Sequence, residues 1–109
     1  MKELTENANE FIEAAEECMK KEKWNVAVSN YFRAIANLCD FKIYTKIRIL
    51  PKNHNERFEL LKKNFPELHN NLLKLFKTYR NSYNQRLTKE DATSVQIFAN
   101  ELRNTKNKE

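Results

Sequence analysis

Few residues in this chain are equipped for chemistry. The most suggestive stretch is residues 79–92, YRNSYNQRLTKEDA, where Arg80 is followed directly by Asn81 late in an amphipathic pattern. A guanidinium grips phosphate or carboxylate through parallel N–H donors, and a carboxamide offers both a donor and an acceptor. Arg80 and Asn81 are therefore the leading candidates for binding an anionic ligand. Arg86 is a further one, placed where a cation also complements a helix C-terminus. Arg80 has a plainer reading as well: its stem can lie over the neighbouring apolar stripe while its head stays in water.

The chain has only two histidines, His54 and His69. Imidazole is the side chain best suited to moving protons near neutral pH. His69 lies three turns before Arg80 on nearly the same helix face, about 16 Å away along the axis, too far for joint action within one chain. His54 reads as a helix-start or packing histidine. Glu6, Glu10, Glu13 and Glu17 form a carboxylate row without an accompanying Glu-x-x-His, and read as solvated surface; no metal or cofactor is expected. Cys18 and Cys39 fall on apolar faces at different levels of a hairpin, so they read as free thiols of a protein in a reducing cytoplasm.

The elements that must position these groups are helical. The 109 residues contain no glycine and two prolines, Pro51 and Pro66. Without glycine, the tight turns of β-hairpins and the glycine-rich loops that cradle nucleotide phosphates are excluded. The spacing predicts helices over about 5–22, 24–47, 53–64, 67–86 and 89–104. The first carries Ala8, Phe11, Ile12, Ala15, Cys18 and Met19 on one stripe. The second has a wide face of Trp24, Ala27, Val28, Tyr31, Phe32, Ile35, Leu38 and Cys39, with Arg33 pointing away from it. Pro51 ends that helix or closely follows its end, and Pro66 suits the first turn of the fourth. The fourth presents Leu68, Leu72, Leu75, Phe76, Tyr79 and Tyr83; the fifth Ala92, Val95, Ile97, Phe98, Ala99 and Leu102. Thr88 with Asp91 three residues on is a capping-box-like start for the last helix.

The expected architecture is all-α: one domain, residues 1–109, forming an up-and-down bundle of four main helices plus a short one, with frayed ends at about 1–4 and 104–109. No apolar run is long enough to span a membrane. The net charge of +5 and pI near 9.2 fit an anionic partner, with nucleic acid first, although acids are interleaved with the Lys and Arg.

Three segments in this order resemble the HEPN family of small bacterial and archaeal helical bundles. They are residues 24–35, WNVAVSNYFRAI; His54 followed by Phe58 and Phe65; and Tyr79-Arg80-Asn81 leading to Thr88, Glu90, Asp91 and Ala92. The resemblance spans about residues 8–102. It implies a homodimer of the toxin–antitoxin or defence type, with RNA or nucleotide as ligand or a minimal nucleotidyltransferase as partner protein. It also implies a ribonuclease signature of arginine, a polar residue, and a histidine four to six residues after the arginine. Arg80 and Asn81 match the first two. Gln85, Arg86 and Leu87 stand nearby where a histidine would be needed, and neither an amide nor a permanent cation removes a proton at pH 7. The expectation is therefore a homodimeric RNA- or nucleotide-binding domain lacking its catalytic histidine. The alternatives are a ribonuclease with a displaced base, and a protein–protein scaffold.

Overall fold

The computed structural model describes residues 1–106 and contains five helices and, among those residues, no strand: α1 (Lys2–Lys20), α2 (Trp24–Ile47), α3 (His54–Asn64), α4 (Pro66–Asn81) and α5 (Lys89–Lys106). The fold is all-α, as the composition requires. Of the ends expected to fray, residues 2–4 and 104–106 are helical, the first turn of α1 and the last of α5; residues 107–109 lie outside the described residues. No described helix is long and apolar enough to cross a membrane.

The 24-residue α2 is the axis of the molecule. Ala27, Val28, Tyr31, Phe32, Ala34, Ile35, Ala36, Leu38, Cys39 and Ile43 are all buried, so apolar side chains surround most of its circumference. A helix of that kind must be covered on several sides. α1 and α5 pack on it and on one flank, while α3 and α4 pair with each other and close another. Small residues suit a close approach: Ala8 and Ala15 from α1 and Ala92 and Ala99 from α5 are fully buried in one cluster with Ala27 and Ala34 of α2. A polar clasp fastens the same three helices. Tyr31 donates to Glu16 at 2.9 Å, and Gln96 donates to Glu16 at 3.1 Å and to the Tyr31 oxygen at 3.0 Å. Glu16 thus faces inward, unlike the carboxylate row read from the sequence.

The ends differ from expectation in instructive ways. α1 stops at Lys20, two residues early, because the chain turns through Glu22 at φ 56°. The Glu22 N–H donates to Met19 O and the Lys23 N–H to Cys18 O, a Schellman closure built without glycine. α4 stops at Asn81 instead of running on to residue 86. Ser82 turns its hydroxyl back to Tyr79 O at 2.6 Å, and the next residues form turns. Asn25, at the start of α2, holds that link in place. Its Nδ2 donates to Ser82 O at 2.9 Å and Gln85 O at 2.6 Å, and its Oδ1 accepts from Leu87 N–H at 3.0 Å. The start of α5 is as read: Thr88 N–H donates to Asp91 Oδ2 and Asp91 N–H to Thr88 Oγ1. Two residues assigned to apolar stripes are exposed, Tyr83 at 71% and Ile97 at 52%. Tyr83 leaves the stripe because α4 has already ended. Ile97 is on the solvent side because Val95 and Ala99 take the α2-facing positions of α5.

Candidate functional site

The candidate residues read from the sequence occupy the end of α4 and the link beyond it, but they do not form one group. Arg80 is exposed on the last turn of α4, with its guanidinium carbon 5.9 Å from the centroid of Phe76 one turn earlier. Asn81 is half-buried and ends the helix; its carbonyl accepts from Gln85 N–H at 2.9 Å, and its side-chain oxygen receives a long bond from Gln85 Nε2 at 3.4 Å. Gln85 is exposed, with its carbonyl taken by Asn25. Arg86 stands elsewhere, lining a small hollow with Glu22, Lys23, Trp24, Asn25 and Val26. Because α4 ends at Asn81, the dipole argument for Arg86 no longer applies. Its neighbours are the start of α2, not the aromatic surroundings of Arg80.

What does gather around Arg80 is an aromatic cluster contributed by three helices. Phe32 of α2 stacks on Tyr79 of α4, centroids 4.5 Å apart and planes 12° off parallel. Phe76 packs against Phe32 at 5.7 Å and, edge-on, against Phe58 of α3 at 5.2 Å. Tyr83 meets Tyr79 in a T-shaped contact at 5.5 Å, and their hydroxyls are 2.7 Å apart. Burial, and then the hydrogen bond with Tyr83, hold the Tyr79 phenol above its ordinary pKa. Arg33 of α2 lies against Tyr79 and also approaches Phe11 of α1 at 6.0 Å.

His54 is seated in this cluster. Its ring lies 5.2 Å from Phe76, 6.0 Å from Phe32 and 6.5 Å from Tyr79, centroid to centroid. It is the first residue of α3, whose N-cap Asn53 accepts from Glu56 N–H at 2.9 Å. The helix-start reading was right, but it misses what the next turn does. Arg57 donates through Nη1 to His54 Nδ1 at 2.8 Å. Its Nε and Nη2 donate to the two oxygens of Asp40 at 2.7 and 2.8 Å, a bidentate fork across from α2. The pair is nearly sealed, with the side chains of Arg57 and Asp40 12% and 9% exposed. Burial, and then the Arg57 charge, press the His54 pKa below its ordinary value, against a smaller opposing pull from Asp40. Both effects favour the neutral imidazole.

Sequence reasoning overlooked Asp40 and Arg57 altogether. One signal was present: His54 and Arg57 are three apart on one helix, and Asp40 falls among the buried positions of α2, where an acid is kept only with a partner. His69 lies apart from the centre of the cluster, edge-on to Phe58 at 6.1 Å, with Nδ1 3.4 Å from Asn70 Oδ1. Among the described residues no group of three or more His, Cys, Asp or Glu is placed to hold a metal ion. The cysteines are unpaired, Cys39 buried and Cys18 half-buried. Compared with protein-family models, curated proteins and solved structures, the chain matches none.

Proposed function

We propose that this bundle binds RNA through the face around Phe76, where Arg80 and Arg33 supply charge to the backbone and Tyr83 supplies a stacking surface. The observation that carries this reading is the placement of the Arg80 guanidinium over Phe76 in a cluster that also holds His54, Tyr79 and the exposed ring of Tyr83. Grooves that hold single strands combine cations that track phosphates with aromatic faces on which bases lie, and they need little else. The charge balance here favours an anion. Arg57 and Asp40 neutralise each other in a bidentate pair, which leaves the Arg33 and Arg80 guanidiniums beside the cluster. The chain as a whole carries +5. Tyr83 is a large aromatic left in water at the rim, where it is of little use to the core.

A titration of labelled single-stranded RNA followed by fluorescence anisotropy tests this. Arg80→Ala is expected to weaken binding roughly tenfold and to reduce the salt dependence by about one counterion, the signature of a lost phosphate contact. Tyr83→Ala is expected to weaken binding at all salt concentrations, since stacking contributes about 1–3 kcal/mol per base. Affinity and salt slope unchanged by Arg80→Ala would remove the reading.

A further inference from the structure

We infer that the Asp40–Arg57 pair locks His54 as a neutral imidazole with its proton on Nε2, so that His54 gives a hydrogen bond to a phosphate oxygen of bound RNA and does not remove a proton from it. This rests on the RNA-binding reading of the Phe76 face and names what one residue of that face contributes.

The argument begins with Arg57. A guanidinium has five N–H donors and no acceptor, and it is not deprotonated in proteins. The 2.8 Å contact between Arg57 Nη1 and His54 Nδ1 therefore has one polarity: Arg57 donates and Nδ1 accepts. A nitrogen that accepts cannot carry a proton. The proton of the neutral ring is then on Nε2, which becomes a donor. No described residue accepts from Nε2, and His54 is exposed at the rim of the cluster.

Arg57 cannot readily turn away to release Nδ1. Two of its nitrogens are fixed to Asp40 at 2.7 and 2.8 Å, and both side chains are nearly buried. Of the charged and titratable groups around the ring, Arg57 and Asp40 act on this state, in opposite directions, and the others border the cluster. On α2, Asp40 is neutralised by Arg57, and Arg33 lies against Tyr79. On α3, Arg57 repels a second positive charge. On α4, Tyr79 is held in its protonated form and Arg80 adds a further cation over Phe76. Protonating Nδ1 would set an imidazolium N–H against an arginine N–H.

The consequence for function is specific. A general base must have a free lone pair within reach of the proton it takes. The lone pair of His54 is occupied by Arg57, and the nitrogen left available already bears hydrogen. A neutral N–H donor is nonetheless well suited to a phosphate oxygen, adding direction to the contact without adding charge. The face is thus equipped to hold RNA and leave it intact.

Nitrogen-15 NMR of the imidazoles in the full-length protein tests the lock directly. At neutral pH His54 should show an unprotonated Nδ1 and a protonated Nε2, and it should titrate below the ordinary histidine value. A His54 that is protonated at Nδ1 at neutral pH, or that titrates at or above the ordinary histidine value, overturns the lock. A double variant Asp40→Asn/Arg57→Gln, neutral at both positions, should free Nδ1 and move the His54 titration upward from its wild-type position, with burial still holding it down. In that variant RNA affinity should rise as pH falls from 7 to 5.5, whereas the wild-type profile stays flat over the neutral range. Binding of labelled RNA tests the donor. His54→Gln keeps a neutral N–H and should stay within about threefold of wild type, while His54→Ala should lose roughly tenfold. Equal losses in the two variants would overturn the donor role. RNA cleavage by the pure protein, abolished in His54→Ala, would overturn it too and make His54 the displaced base. A protein that bound neither RNA nor inorganic phosphate would end the reading of the whole face, and the NMR titration would still decide the lock alone.

Discussion

Asp40 sets the terms on which its neighbours operate. A carboxylate at a nearly sealed position is tolerated only when paired and hydrogen-bonded, and Arg57 meets both of its oxygens at once. Such a pair is poor evidence of net stability, because desolvating two charges costs about what their attraction returns. It is strong evidence of geometric constraint. The third arm of Arg57 converts that constraint into a fixed protonation state for His54. Breaking the pair on one side leaves a buried guanidinium without a counterion. Asp40→Ala is therefore expected to lower unfolding free energy by about 3–5 kcal/mol in urea denaturation. Replacing both partners by apolar residues of similar volume should cost far less. A loss under about 1 kcal/mol for Asp40→Ala would mean that the pair is screened like a surface ion pair.

At the level of elements, the link between α4 and α5 is decided by Asn25. One side chain at the start of α2 takes two carbonyls and one N–H of that link, so the gap over residues 82–88 is as constrained as a helix end. This ends α4 at Asn81, frees Tyr83 from the core stripe, and turns Arg86 toward Trp24 and away from Arg80. Asn25→Ala should cost about 1–3 kcal/mol, since it leaves partly buried backbone groups unpaired. It should also raise the hydrogen-exchange rate of the Leu87 amide above that of core α2 amides, as followed by NMR. Unchanged protection at Leu87 would show that the clamp is incidental. The left-handed closures at Glu22 and Arg48 follow the same logic. A chain without glycine still has to leave its helices, and it does so with ordinary residues at a local cost of about 1–2 kcal/mol.

On the scale of the whole molecule, all five helices contribute to one buried cluster. Ala8, Ile12 and Ala15 come from α1, Leu61 from α3, Leu72 from α4, and Ala92, Val95 and Ala99 from α5, all meeting the continuous face of α2. Cys39 is fully buried in it. Burial, and then the nearby Asp40 charge, push its thiol up to about 12. The reactive thiolate is therefore scarce in the folded state, and reagent reaches the sulfur only when the bundle opens. With a disulfide reagent at pH 8, Cys18 should react in the native protein, while Cys39 should react only along the denaturant unfolding curve. Native-state modification of both at similar rates would show that α2 is exposed by local opening.

Helix number, helix class and most helix starts were legible in the chain because they depend on neighbours three and four residues apart. Missing glycine, the apolar stripes, Pro66 and the Thr88–Asp91 cap act locally and need no knowledge of the rest of the fold. Arg80 and Asn81 could be singled out by type for the same reason. Tertiary structure alone decided who stands beside them. The contacts of Asn25 with Ser82, Gln85 and Leu87 cross about sixty residues of sequence, and Arg57 meets Asp40 across seventeen. Such pairings leave no periodic trace, since each depends on how two helices happen to face. Three-residue spacing placed His54 near Arg57. The buried carboxylate on α2 aims the guanidinium, and only the packed bundle brings the two together.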